Sequence, residues 1–462
     1  MSEWLPDLAR RKGPRYLAIA EALSTDIRTG RLASGVRLPT HRDLADALGV
    51  TVGTVSRAYA EADRRGLISG EVGRGTFVRG GGARGAGAVP RTGTTPAGPI
   101  DLSLNFPMGD IDDRQLAATL TVLSARGGLA PLLEYQPHAG SPRHRAAGAS
   151  WLARAGVAAD PDRVLVACGA QHAMAIVFMA LAEPGDVVLA EELTYPGAKT
   201  LAALLRLDLR AVDIDDAGIV PESFEKACRA GRPRLLYCMP TIQNPTGSVM
   251  TEARRRRVAA IAQRHGVAIV EDDIYGMLAP KRPRPMAAFA PEEGFYISSL
   301  SKTIAPGLRI AYLLSPKKHV DRLSSVIRST TWMAAPLMAE IAAVWIEDGT
   351  ADASLKRKRA EAAHRQALAL SILPKDHLDT HPYSYHMWLR LPAPWTSATF
   401  VTRAWQRGVM VTPAESFAVS EPAPAAVRLC LGGTRTREDL ERGLKILSET
   451  LGGSQQPGMS IV

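Results

Sequence analysis

Cysteine is scarce in this chain: four in 462 residues, at positions 168, 228, 238 and 430. None forms a Cys-x-x-Cys pair, and none stands at zinc-ligand spacing from a histidine, so no metal site is expected. Free thiols, buried as small apolar groups in a reducing compartment, are the expected state. No apolar run approaches the ~20 residues that a membrane-spanning helix needs. The start, Met1-Ser-Glu-Trp-Leu-Pro-Asp-Leu-Ala-Arg-Arg-Lys12, lacks the apolar core and the small-residue cleavage site of a secretory signal. A cytoplasmic protein with no membrane partner is therefore expected. No internal repeat is visible.

A length of 462 residues exceeds what one core organises, so two or more domains are expected. The formal net charge is +10. Residues 1–80 carry 13 Lys and Arg against 9 Asp and Glu, an excess that suits phosphate contacts without proving them.

The clearest boundary is the Gly-, Ala-, Thr- and Pro-rich stretch 80–99. It has too little apolar side chain to offset ordering entropy and reads as a flexible linker with a reach of roughly 25 Å. Before it, residues 1–79 read as a DNA-binding domain. Leu17, Ala20, Leu23 and Ile27 recur at helical spacing. Residues 40–48 form a short helix with Thr40 as N-cap and Asp43 three places on, a capping-box variant. Gly49 turns the chain, and residues 51–65 form a second helix. This is the helix-turn-helix pattern. Short strands around Gly70, Gly73 and Gly75 make a wing.

After the linker the pattern alternates between strand and helix. Strands are expected at 163–167, 186–190, 234–238, 268–271 and 294–299, with helices at 171–181, 197–205 and 252–265. Such alternation implies an α/β fold with a mainly parallel sheet and flanking helices. From about residue 330 helices dominate, and strands follow at 387–391 and 426–430. The expected division is a large domain over 100–330 and a small C-terminal α+β domain over 331–455.

The segment Ser299-Leu-Ser-Lys-Thr-Ile-Ala-Pro-Gly-Leu-Arg309 follows a strand. It offers an amine for an aldehyde, with hydroxyls and a guanidinium for a phosphate. Asn244-Pro-Thr-Gly247 and Glu271-Asp-Asp-Ile-Tyr275 also follow strands, so all three motifs sit along one sheet edge. This ordered set resembles the fold type I pyridoxal 5′-phosphate (PLP) aminotransferases over residues 100–450. The resemblance makes Lys302 the lysine of the internal aldimine and sets Asp272 against the pyridine nitrogen. Asp273 is the alternative, but the Asp-x-x-Tyr spacing favours Asp272. It implies that Asn244 and Tyr275 bond the ring hydroxyl and that Tyr195 stacks on the ring. Ser299, Ser301 and Arg309 are expected on the phosphate, with the helix start at Ala170 and Gln171. Relatives often carry serine where Ala170 stands. Tyr135 resembles the tyrosine that reaches the phosphate from a second subunit, which implies a homodimer. Arg428 resembles the arginine that grips a substrate carboxylate as a fork. The run Arg254–Arg257 spreads around its helix, and a solvated face is favoured there over a nucleic-acid patch.

The head, from Gly30 through Gly73-Arg-Gly-Thr-Phe-Val, resembles the GntR winged helix-turn-helix over about residues 14–79. By position Arg42, Thr51, Gly53, Thr54 and Arg57 are expected at DNA, together with Gly73 and Arg74 of the wing. Relatives often carry arginine where Val52 stands, so base reading there is weakened. Head, linker and body together resemble the MocR subfamily of regulators. That implies a PLP-dependent transcription regulator on a double-stranded operator, sensing an amino compound or PLP through chemistry at Lys302. An active aminotransferase that also carries a DNA-binding head is the alternative.

Overall fold

The computed structural model describes residues 4–6, 14–28, 32, 36, 38–64, 67–71, 75–78, 98–108 and 113–452. They fall into two units divided between Thr94 and Thr95. Gly73 and Arg74, and the expected linker up to residue 97, lie outside the described residues.

In the first unit the apolar spacing produces the helix Arg15–Arg28, followed by His41–Leu48 and Val52–Arg64. Thr40 starts the second helix: its hydroxyl accepts from the Asp43 amide at 3.3 Å and donates to the Asp43 carboxylate at 2.7 Å. Gly49 ends that helix at φ 62°, where a side chain would be strained. Thr51 then accepts from the Thr54 amide at 3.2 Å and opens the third helix. Ile19, Leu23, Leu44, Val55, Ala58 and Tyr59 close the core. Strands Ile68–Glu71 and Gly75–Val78 pair antiparallel as the expected hairpin.

The second unit is built on a seven-stranded sheet in the order Val164–Ala167, Ala311–Leu314, Gly294–Ser299, Ala268–Asp272, Leu235–Cys238, Val187–Glu191, Asp208–Val212. Ala311–Leu314 runs antiparallel to both neighbours, and the other pairings are parallel. Apart from the edge strand Asp208–Val212, the strands are largely apolar on both faces because helices cover both, as a largely parallel sheet requires. A second, four-stranded antiparallel sheet contains His386–Arg390 and Ala426–Cys430. Ile100–Asp101 pairs with Val409–Met410, so the chain joins the C-terminal strands as soon as it enters the body. The helix Pro336–Glu347 packs its Ile341, Val344 and Trp345 into the core of the large sheet.

The run Arg254–Arg257 is not the uniformly solvated face expected of it. Arg254, Arg256 and Arg257 pair with Asp215, Glu252 and Glu222, but Arg255 is fully buried. Its guanidinium donates to the Pro240 carbonyl and the Thr241 hydroxyl, both at 2.8 Å, and faces Glu271. Arg255 lies in register with the buried stripe Val258, Ala259, Ala262, so periodicity sends it inward. Among the described residues no helix is long and apolar enough to cross a membrane, and no cluster of three His, Cys, Asp or Glu could hold a metal ion.

Candidate cofactor and effector site

Strand ends at 167, 191, 238, 272 and 299 deliver their loops to one edge of the large sheet. Ser299 closes its strand, and its Oγ accepts from the Ser301 amide at 3.2 Å, starting the single turn Leu300–Thr303 that carries Lys302. The half-buried Lys302 amine donates to the Asn105 carbonyl and stands 5.7 Å from the centre of the Tyr275 ring. Burial lowers its pKa to about 8; Arg428 and Arg309 push the same way, and Cys430 and Asp272 oppose.

Asp272 is buried at the end of its strand. Its Oδ2 accepts from the Tyr237 hydroxyl at 2.8 Å, and its Oδ1 has no partner among the described residues. Burial raises its pKa to about 7. Asp273 is bonded by the Tyr296 hydroxyl and lies against Gly276, where a Cβ would come within 2.0 Å of its Oδ1. Asp272 is among the charges that act on the Lys302 amine.

Arg428 is buried. Its Nη1 donates to Asn244 Oδ1 at 2.9 Å and its Nη2 to the Ser103 carbonyl at 2.8 Å, while Nε has no partner among the described residues. The guanidinium lies 4.8 Å from the Phe417 ring centre. With one lone pair of its oxygen taken by Arg428, Asn244 keeps its amide N–H groups to offer a ligand.

Gly169 precedes the helix Ala170–Leu181 at φ 85°, ψ 168°, a conformation reserved for glycine. A Cβ there would lie 2.5 Å from Arg309 Nη2. Arg309 reaches the Ser301 hydroxyl and the Cys168 carbonyl, each at 3.4 Å, and Ser299 and Ser301 bond each other at 3.1 Å. Hydroxyls, a guanidinium and helix N–H groups thus converge, which is how proteins hold a phosphate. Gly197 brings Tyr195 and Gln171 to the same place: a Cβ there would lie 2.3 Å from Tyr195 Cε1 and 2.7 Å from Gln171 Oε1.

Tyr135 is not gathered with these groups. It is 81% exposed, beside Leu133 at 87%, and its ring meets Trp332 at 5.4 Å. In the first unit Arg42, Thr51, Gly53 and Arg57 are exposed and Thr54 is half-buried. Four residues of the site carry no sequence motif: Ser103, Asn105, Tyr237 and His386. The one available signal was a histidine opening the otherwise apolar run His386-Met-Trp-Leu.

Residues 98–447 match the family aminotransferase class I and II, and residues 15–78 match the bacterial regulatory proteins of the gntR family. The HTH-type transcriptional regulator YdeF of Bacillus subtilis is 32% identical, over 97% of this chain and 96% of its own. The probable rhizopine catabolism regulatory protein MocR of Rhizobium meliloti is 30% identical, over 78% of this chain and 77% of its own. The solved structure of LysN, the alpha-aminoadipate aminotransferase of Thermus thermophilus complexed with N-(5′-phosphopyridoxyl)-L-leucine, superposes with a TM-score of 0.70. It is 25% identical and covers 77% of this chain and 92% of its own. A helix-turn-helix unit ahead of an aminotransferase body in one chain is the MocR arrangement, and this protein belongs to that group: a GntR-type DNA-binding regulator fused to an aminotransferase class I and II domain.

Proposed function

We propose that the body senses an amino compound, or PLP itself, at Lys302, and that the result alters how the DNA-binding units hold operator DNA. One observation carries this reading. Lys302 and Arg428, two of the cations of the pocket, both donate to main-chain carbonyls of the segment 98–108, at Asn105 and Ser103. That segment is the first part of the body after the chain leaves the DNA-binding unit. A ligand that engages the Lys302 amine takes it from Asn105. Regulation then requires only that the ligand favour one arrangement of the segment over another.

PLP is the cofactor the aminotransferase class implies, and the open atoms of the pocket fit it. When bound, it supplies an aldehyde that condenses with amines and a ring that withdraws electrons. Lys302 offers the amine, and the bare Oδ1 of Asp272 suits a protonated ring nitrogen. The Asn244 amide and the Tyr275 hydroxyl suit the ring oxygen, with Tyr195 beside the ring. Ser299, Ser301, Arg309 and the helix start at Ala170 and Gln171 suit the phosphate. The free Nε edge of Arg428 suits the carboxylate of an amino acid. The exposed apolar group Leu133, Tyr135 and Trp332 suits a second copy of the chain, with Tyr135 reaching into the partner's site.

The alternative reading is a working aminotransferase. It is favoured by a Lys302 amine whose pKa of about 8 lets it exchange protons near neutrality. The deciding experiment measures binding to the gene's own upstream DNA, with and without PLP and candidate amines. The regulator reading expects a shift that changes with ligand in wild type and not in Lys302→Ala. It is overturned if DNA binding ignores every ligand while amino donors and oxo acids turn over rapidly. A wild type that stays colourless after PLP addition overturns both readings.

A further inference from the structure

His386 is fully buried at the start of its strand, and its two ring nitrogens have different partners. Nε2 lies 2.9 Å from the Gln243 carbonyl. A carbonyl can only accept, so Nε2 carries the proton. Burial, with help from Arg428, depresses the ring's pKa to about 3, so the imidazole stays neutral and Nδ1 is an acceptor. Nδ1 lies 3.1 Å from Asn105 Nδ2. This contact fixes the amide: its NH2 end must face His386, because its oxygen there would meet a lone pair. The second hydrogen of the same nitrogen reaches the Tyr275 hydroxyl oxygen at 2.8 Å. Tyr275 therefore accepts on that side, and its own proton is left for another acceptor.

We propose that His386 and Asn105 are positioning residues which lock the Tyr275 hydroxyl as a hydrogen-bond donor into the Lys302 pocket. The direction runs one way: the Gln243 carbonyl sets the tautomer of His386, His386 sets the orientation of Asn105, and Asn105 sets the polarity of Tyr275. The titratable and charged groups around Tyr275 are Arg428, Cys430, Tyr195, Asp272, Lys302, Tyr385 and His386, and burial keeps its phenol protonated. In this setting a donated proton stabilises an oxyanion on the bound ligand, and a phenol turned the other way would not. The inference rests on the reading that the pocket holds PLP.

The test is the pH midpoint of the absorbance of PLP bound at Lys302, in the full-length protein. Donation from Tyr275 to the ring oxygen favours the deprotonated chromophore, so losing it raises the midpoint. Asn105→Asp is nearly isosteric but only accepts, so it draws the Tyr275 proton to itself. It is expected to raise the midpoint by about one pH unit, Tyr275→Phe is expected to do the same, and the double variant is expected to add nothing. His386→Gln can donate to Gln243 and accept from Asn105, so it is expected to stay within a few tenths of a unit of wild type. His386→Phe is expected to move with Asn105→Asp. Unshifted midpoints in Asn105→Asp, or shifts that add to that of Tyr275→Phe, overturn the relay while leaving the PLP reading intact. A wild type without absorbance overturns the PLP reading instead. Nitrogen-15 NMR of histidine-labelled, cofactor-free protein, assigned by loss of the signal in His386→Gln, gives a readout without PLP. A neutral ring protonated on Nε2 at pH 6 is expected, and protonation on Nδ1 overturns the relay.

Discussion

Tyr237 donates its hydroxyl proton to one oxygen of Asp272 and leaves the other oxygen buried and without a partner among the described residues. A strand end has thus been given a carboxylate with half its valence unspent. Such a group is costly in the cofactor-free protein and useful once a protonated ring nitrogen arrives.

That cost has a pH signature. Asp272, Glu191 and Glu271 are all fully or nearly fully buried, and burial raises each to a pKa of about 7. Carboxyls with raised folded pKa values hold protons that the unfolded chain has released. Their stabilisation is complete below about pH 4 and is lost as pH rises through about 7. The melting temperature of PLP-free protein is therefore expected to fall by several degrees between pH 5.5 and 8. Asp272→Asn is expected to flatten that slope while weakening PLP binding. Thermal melts across the pH range check both, and parallel slopes in the two proteins would refute the assignment.

Gly169 governs the phosphate cradle by having no side chain. Gly169→Ala forces an alanine to φ 85°, ψ 168° and sets a methyl 2.5 Å from Arg309. The backbone strain costs about 1–3 kcal/mol. Displacing Arg309 removes a charged phosphate partner, so PLP affinity is expected to drop at least about tenfold. Ala170→Ser, which adds a hydroxyl at the helix start, is expected to tighten binding instead. Equilibrium titration of PLP against the three proteins measures this, and an unchanged affinity in Gly169→Ala would place the phosphate elsewhere.

The placement of Lys302, Asp272 and Asn244 along one sheet edge was legible in the sequence because each lies just past, or closes, an apolar strand of a parallel sheet, where loops must face one edge. Asn105 and His386 were not. Their partners lie 170 and 281 residues apart along the chain, and nothing local marks such pairs. The strand Ala311–Leu314 escaped for another reason. Only the single turns Leu300–Thr303 and Pro306–Leu308 separate it from the preceding strand, Arg309 at φ 53° leads into it, and it runs antiparallel, so it breaks the alternation that revealed its neighbours. The run Arg254–Arg257 was read as a solvated face, but members that spread around a helix must put one on its apolar stripe: a charged side chain there goes inward when two oxygens and a carboxylate wait for it.

Leu133 and Tyr135 expose more apolar surface than a lone chain keeps without a reason. If a second copy covers them, Leu133→Asp buries a charge at the contact and is expected to give monomers at micromolar concentration. Because Tyr135 would serve the partner's phosphate, the same variant is expected to lose PLP affinity while its circular dichroism stays native. Sedimentation velocity alongside PLP titration tests this. A dimer that persists with full affinity would move the interface to another face.

The last expectation concerns the first unit. Thr51, Gly53 and Arg57 lie exposed just ahead of or within the first turns of the helix Val52–Arg64, the element that a helix-turn-helix sends into the major groove, and Arg42 lies exposed on the helix His41–Leu48 before it. Val52 stands among them, 43% exposed, and an aliphatic side chain cannot make the paired hydrogen bonds by which arginine reads guanine. Affinity here should therefore lean on phosphate contacts. Arg57→Ala is expected to weaken operator and unrelated DNA by similar factors and to reduce the log–log salt slope by about 1. Thr51→Ala removes a helix cap as well as a possible contact, so it is expected to lower the stability of the unit by about 1 kcal/mol. Val52→Arg is expected to tighten binding, most of all on sites with a guanine facing that position. Titrations at several salt concentrations on both DNAs separate these outcomes. An Arg57→Ala loss confined to the operator would assign Arg57 to a base edge instead.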